Sequence, residues 1–346
     1  MKNFNRSKWT KSIVVFITVL LGVAMMTGCG GKSESSSADT KAGGEKIKIR
    51  AGADSSPFSF QFRVAKAKGL FEKYNIDADI QTFSYGIDTL NAVVLDQVDV
   101  GEGMDYAVAT RLGNSGNLRV ASYIATPSLD GASLYVVGDD IKRPADLVGK
   151  NIAAQKGTVN EYVWAQTFSK FGVDPKSVNM LYFSSNAEVI AAVQSGKADA
   201  IWGDKSLQSK IVEIPGIKSL GDYRLIDFEM KGYLVFKDQF IKDHPEAVEN
   251  FLKALKEASE YIEKNPQETV DIAYQDLKLP KEDVRKTLET YTYDIRFSQD
   301  DYEHLNDIAN WSIKTGLIKE AYAVKDFLSL ESIRKALPEA VNYKEK

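Results

Sequence analysis

Three carboxylates, Asp54, Asp105 and Asp204, each sit at or just beyond a stretch that reads as a β-strand. In open α/β sheets, the residues beyond the carboxyl ends of strands are the ones that meet a ligand. Taken strand by strand, those positions give Asp54, Ser55, Ser56 and Phe58, then Tyr85 and Gly86, then Met104, Asp105 and Tyr106, then Thr126 and Ser128. The second half of the chain adds Thr158, Val159, Asn160, Trp202, Asp204 and Glu229. This is chemistry of holding rather than of bond-breaking. Carboxylates pair with an amine or a nitrogen heterocycle and oppose an anion, whereas Ser55, Ser56, Thr158 and Asn160 supply neutral donors suited to an anionic head group. Each position also has a local role open to it: Asp54 and Asp105 as helix caps, Tyr85 and Tyr106 as half-buried packing residues.

The most informative corner is Gly157-Thr158, between the strand Asn151 to Ala154 and an amphipathic helix. Glycine lets the backbone turn sharply, and threonine is a good N-cap. Such a corner leaves backbone N–H groups pointing outward at the positive end of a helix, a place to hold a polar ligand group without a catalytic side chain. No Ser-His-Asp or Cys-His constellation is present, so no enzyme activity and no cofactor are expected. His244 and His304 lie far apart in the sequence, away from any cysteine, which argues against a histidine-based metal site. With Cys29 as the one cysteine, no intramolecular disulfide can form.

These residues need scaffolding, and the chain supplies alternating strands and helices from Lys46 onward. Ile47 to Ala53, Asp77 to Phe83, Val98 to Gly101, Leu118 to Ile124 and Ser133 to Val137 read as a first set of strands. Helices lie between them, one of them with its C-cap at Gly69. The second set runs through Asn151 to Ala154, Val178 to Phe183 and Ala198 to Trp202, with Arg224 to Phe228 and Gly232 to Phe236 as a return crossing. This alternation predicts an α/β protein with a largely parallel sheet. Asn91 to Val100 and Ala191 to Ala200 echo each other: an apolar helix end, a turn, and a strand opening with Asp99 or Asp199. From His244 the chain turns helical, with Val248, Phe251, Leu252, Leu255 and Ile262 on one face of a helix that starts near Pro245.

The chain has 346 residues and a net charge of −4 with both signs interspersed, which fits two domains and argues against a nucleic-acid surface. Lys2, Arg6, Lys8 and Lys11 precede an apolar run from Ile13 to Met26, the pattern of a secretory signal. It ends in Met26-Thr27-Gly28-Cys29, which resembles the bacterial lipobox, with Met26 where leucine is usual. The resemblance implies a signal peptide over residues 1–28 and a lipidated Cys29. Residues 29–45, rich in Gly and Ser, read as a flexible tether. Gly31-Lys32-Ser33 mimics the end of a phosphate-binding loop but lacks the motif's first glycine and its strand and helix.

Five motifs in order resemble one family, the solute-binding components of bacterial ABC importers for nitrate, sulfonates, taurine and thiamine precursors. They are Ala65-Lys66-Ala67-Lys68-Gly69-Leu70-Phe71, Asp146-Leu147-Val148-Gly149-Lys150-Asn151-Ile152-Ala153, Lys156-Gly157-Thr158, Ser195-Gly196-Lys197-Ala198-Asp199-Ala200, and His244-Pro245-Glu246. The resemblance spans Lys46 to about Trp311. It implies a two-lobed fold of the periplasmic-binding-protein type II class with the ligand in the cleft between lobes, residues 46–138 and 232–346 forming the first lobe and 139–231 the second. Crossings near Gly138-Asp139-Asp140 and Asp227 to Gly232 would be hinges. It further implies a small-molecule ligand, an ABC permease with its ATPase as partners, a monomer, and a lipid anchor on the outer face of the cytoplasmic membrane. The aromatic and acidic candidates favour a nitrogen-bearing ligand such as a thiamine-type pyrimidine. A sulfonate, taurine or nitrate is the alternative, and an enzyme of pyrimidine synthesis a distant one.

Overall fold

The computed structural model describes residues 46–155, 158–183 and 185–345. The signal segment, Cys29, the tether, Lys156 and Gly157 lie outside the described residues. The remainder holds eleven strands: β1 (Ile47–Asp54), β2 (Ile76–Phe83), β3 (Val100–Met104), β4 (Leu118–Pro127), β5 (Ala132–Val137), β6 (Asn151–Gln155), β7 (Asn179–Phe183), β8 (Ala200–Asp204), β9 (Ile217–Asp222), β10 (Gly232–Lys237) and β11 (Tyr291–Arg296). They form two sheets, ordered β11-β4-β10-β3-β1-β2 and β7-β6-β8-β5-β9. Each sheet centres the first lobe or the second.

The two lobes repeat one plan. In each, an inner strand pairs in parallel with the next strand in sequence and with the one after that: β1 with β2 and β3, and β6 with β7 and β8. The echo noted in the sequence has a structural cause. The Asp99 carboxylate accepts the Arg50 backbone N–H at 2.8 Å, while the Asp99 N–H donates to the Arg50 carbonyl at 2.8 Å. Asp199 makes the same pair of 2.8 Å bonds with Asn151. Each aspartate thus ties the start of its own strand to the neighbouring inner strand, where a buried polar group needs a partner.

Four features differ from the sequence expectation. Neither sheet is largely parallel: β10 pairs antiparallel with β3 and β4 and β11 with β4 in the first, and β5 pairs antiparallel with β8 and β9 in the second. The first crossing between lobes lies at Ser128 to Gly131, not near Gly138-Asp139-Asp140, because β5 pairs antiparallel with β8 and β9 of the second sheet. The second lobe therefore begins at Ala132, and β5 does not belong with the first set of strands. Arg224 to Phe228 is not a strand: Tyr223–Ile226 is a 3-10 turn closed by Asp227 at φ 49°. Strands β9 and β11 were not read from the sequence at all. β11 is an edge strand, antiparallel to β4, and its Tyr-Thr-Tyr start carries the β-favouring residues that mark it. The chain returns to the first sheet at Gly232, where β10 begins and pairs with β3 and β4.

The Pro245–Lys264 helix buries Val248, Phe251, Leu252, Leu255 and Ile262, the face its periodicity indicates. Burying each such side chain stabilises by about 1.5–3 kcal/mol. Phe251 stacks on Phe71 at 5.1 Å and meets Phe62 edge-on at 5.8 Å, joining this helix to the Phe60–Ala67 helix and the turn after it. Gly69, at φ 66°, is the left-handed break between those two segments.

Candidate functional site

The ends of β1 and β3 in the first lobe and the end of β6 in the second carry most of the candidate residues. At the β1 end, Asp54 is 6% exposed. Its Oδ1 accepts both the backbone N–H and the hydroxyl of Ser56 at 2.8 Å, and the Ser56 Oγ in turn accepts the Phe58 N–H at 3.2 Å. Asp54 and Ser56 together cap the Pro57–Ser59 turn. The Asp54 N–H donates to Glu102 Oε1 at 2.8 Å, and Glu102 is fully buried. Burial first, and the Asp54 carboxylate second, push the Glu102 carboxyl well above its ordinary range. Burial also raises Asp54, against the Ser56 bonds and the Arg63 charge that lower it. Asp54 holds the two donors that favour its charged form, whereas Glu102 Oε2 has no partner.

At the β3 end, Asp105 is fully buried. Its Oδ1 accepts the Tyr106 N–H at 2.7 Å, and its Oδ2 accepts the Lys231 N–H at 3.0 Å and lies 2.6 Å from His304 Nε2. The backbone bond from Asp105 N–H to the Lys231 carbonyl, 2.8 Å, completes the clasp. Lys231 ends the second crossing and is 2% exposed. Its Nζ bonds the Asp300 carboxylate and lies 3.4 Å from Asp301 Oδ1 and 3.7 Å from Glu229 Oε2. Asp301 also pairs with Arg296. Asp54 thus braces the Ser56 cap, whereas Asp105 caps no helix by its side chain but ties Lys231 and His304 to the end of β3.

At the β6 end, Thr158 is the N-cap of the Val159–Phe171 helix, accepting the Asn160 N–H at 3.2 Å and donating to the Gln155 carbonyl at 2.9 Å. Thr158 and Asn160 are both half-buried. The corner predicted from Gly157-Thr158 is therefore formed on its described side. One turn on, Glu161 Oε2 accepts the Tyr106 hydroxyl at 3.3 Å, a direct bond between lobes. Tyr162 meets Trp311 edge-on at 5.1 Å, so the same helix packs on the Gln299–Lys314 helix of the first lobe.

The other candidates divide. Tyr85, 70% exposed, precedes the Gly86–Val94 helix, and Gly86 lets that helix approach β3, where an added Cβ would lie 3.1 Å from the Gly103 Cα. Ser55 is half-buried, its hydroxyl 3.4 Å from the Ser84 carbonyl. Thr126 is 8% exposed and its Oγ1 has no partner. Phe58, at 1%, belongs to the core, against Gly232, and Tyr106 at 6% is buried at the lobe junction. Trp202 is 3% exposed, donates from Nε1 to Thr167 Oγ1 at 3.0 Å, and stacks on Tyr223 at 5.3 Å. The Asp204 side chain lies outside the described residues.

Sequence reasoning missed Glu102, Glu161, Lys231 and His304. Glu161 had a signal: it stands three residues after the N-cap Thr158, the spacing of a capping box. Lys231, between Glu229 and the strand opening at Gly232, and His304, close behind Asp300 and Asp301, meet Asp105 only through the fold. Among the described residues, no group of three or more His, Cys, Asp or Glu side chains is arranged to hold a metal ion.

Comparison with known proteins adds what geometry alone does not. The model of the family described as NMT1/THI5 like matches residues 57–269. A putative binding protein of Brucella abortus is 28% identical over 227 residues, covering 63% of this chain and 67% of its own. A putative aliphatic sulfonates-binding protein of Bacillus subtilis is 25% identical over 339 residues, covering 95% of this chain and 97% of its own. Among solved structures, the periplasmic aliphatic sulphonate binding protein of Escherichia coli superposes with a TM-score of 0.70 at 17% identity, over 82% of this chain and 92% of that one. That superposition establishes the two-lobed binding-protein fold.

Proposed function

The chain belongs to the NMT1/THI5-like family, and from that premise we propose that it is the extracytoplasmic solute-binding component of an ABC importer, taking a small sulfonate-bearing solute between its lobes. Closure around the solute would present both lobes to a membrane permease served by an ATPase. Cys29 would carry the lipid that holds the protein at the outer face of the membrane, as a monomer on its tether.

The observation that carries the choice of solute is the occupation of Asp54 and Asp105. Both carboxylates are buried and hydrogen-bonded inside the first lobe, so they do not line the cleft as free anions. With that opposition removed, an anionic head group can face the Thr158 end of the Val159–Phe171 helix, whose first-turn N–H groups and dipole favour negative charge. The full-length likeness to a sulfonates-binding relative supports the same reading. A nitrogen heterocycle is the second reading, favoured by the Glu161 carboxylate at the lobe junction and the exposed Tyr85 ring.

Titration calorimetry of residues 45–346 with ethanesulfonate, taurine, nitrate and a thiamine-type aminopyrimidine tests the choice. Saturable binding of ethanesulfonate or taurine that weakens in Thr158→Ala is the expected result. Binding of the aminopyrimidine alone, weakened by Glu161→Gln, would replace this reading with the second. The anchor has its own test: Cys29→Ala should move the protein from the membrane fraction to the soluble one, and continued membrane association of that variant would remove the lipid from the account.

A further inference from the structure

A second pocket lies wholly within the first lobe, under the Pro245–Lys264, Pro266–Leu277 and Lys281–Leu288 helices and against β11. Its volume is about 610 Å³, within the range of about 300–1,000 Å³ usual for small-molecule sites. Ile262, Val270 and Leu288 give it an apolar floor. Tyr291 and Tyr293 form one wall, their rings 5.8 Å apart and 20° from parallel. The Tyr293 hydroxyl donates to the Pro57 carbonyl at 2.6 Å, which fixes that ring.

Charge around the pocket is one-sided. Glu263 and Glu289 both line it, both are exposed, and neither has an ion-pair partner among the described residues. The one cation lining it, Arg285, is already engaged, with Nη1 2.5 Å from Glu282 Oε2 and Nη2 donating to Gln267 Oε1 at 3.2 Å. A flat ring can lie along the stacked tyrosines while its positive nitrogen reaches the two glutamates. Aromatic faces themselves attract a cation. No residue of the second lobe contributes, so occupancy does not require closure.

We infer that this pocket is a second ligand site, separate from the interlobe cleft, which takes a small aromatic ammonium compound. The probe is 2-phenylethylamine, titrated into residues 45–346 by calorimetry with and without saturating ethanesulfonate, and phenylacetate is the control of the same shape and opposite charge. The amine should bind with one-to-one stoichiometry whether or not ethanesulfonate is present, and phenylacetate at least about tenfold more weakly. The double variant Glu263→Gln/Glu289→Gln, confined to exposed positions, should weaken the amine by about tenfold or more. Thr292→Trp, placed on β11 at an exposed lining position, should block it by filling the space. No heat with the amine, competition by ethanesulfonate, or unchanged affinity in both variants would overturn the site. Failure of ethanesulfonate itself to bind would count against the proposed function only, since the variant series reads the pocket directly.

Discussion

The two lobes share a plan yet differ at equivalent corners. In sequence, β1 ends in Asp54 and is followed by Ser55-Ser56, whereas β6 is followed by Lys156-Gly157-Thr158. Ser56 and Thr158 do the same capping work, each accepting an N–H two residues on. In the first lobe an aspartate occupies the corner, with Glu102 behind it, and leads into a three-residue turn. In the second, the cap opens a helix of 13 residues. Beyond β3, Asp105 is again tied inward, by Lys231 and His304. The first lobe thus has its Asp54 and Asp105 carboxylates engaged inward, and the second offers a helix end. Satisfied polar groups rigidify, while an open helix end can discriminate.

The first lobe's network should be felt most in stability. Lys231→Met leaves the fully buried Asp301 with Arg296 as its remaining cation, and removing one partner of a buried ion pair costs about 3–5 kcal/mol. Urea denaturation measures it. A loss under about 1 kcal/mol would mean that Arg296 alone satisfies Asp301.

Asp105→Asn removes a charge that holds two backbone N–H groups and His304, with an expected loss of about 1.5–3 kcal/mol of stability. Solute affinity should change little. A large affinity loss with unchanged stability would turn Asp105 back into a ligand group and erase the contrast between lobes.

Thr158→Ala probes the other corner. Losing the N-cap costs about 1 kcal/mol of stability. Here the affinity for the anionic solute should fall as well, and calorimetry beside denaturation separates the two effects.

A pH profile tests the buried carboxyl behind Asp54. The folded-state pKa of Glu102 is raised well above its unfolded value. Its contribution is therefore fully present below the unfolded pKa, and is lost as pH rises toward the folded one. Glu102→Gln keeps a side-chain acceptor for the Asp54 N–H without an ionisable group, so stability should fall less steeply from acid to neutral pH than in the parent. Identical slopes would show that Glu102 is ionised in the folded protein.

Local signals in the sequence carried much of this architecture. The apolar face of the Pro245–Lys264 helix, the break at Gly69 and the cap at Thr158 depend on neighbours within a turn or two, and each is formed as expected. Sheet membership was not legible. Nothing within Ser133 to Val137 says that it pairs with β8 and β9 rather than extending the first sheet, so the crossing was placed ten residues late. The roles of the carboxylates were hidden for the same reason. Asp105 is completed by Lys231, 126 residues away, and His304, 199 residues away. Trp202 reads as a strand-end aromatic, yet Thr167 and Tyr223 close over it.

Under the proposed function the cleft takes an anion at the helix end of the second lobe. Calorimetry with ethanesulfonate on the parent and on Thr158→Ala tests it most directly. Saturable one-to-one binding to the parent and weaker binding to the variant are expected. Absence of ethanesulfonate binding, with tight binding of the aminopyrimidine that Glu161→Gln weakens, would contradict it.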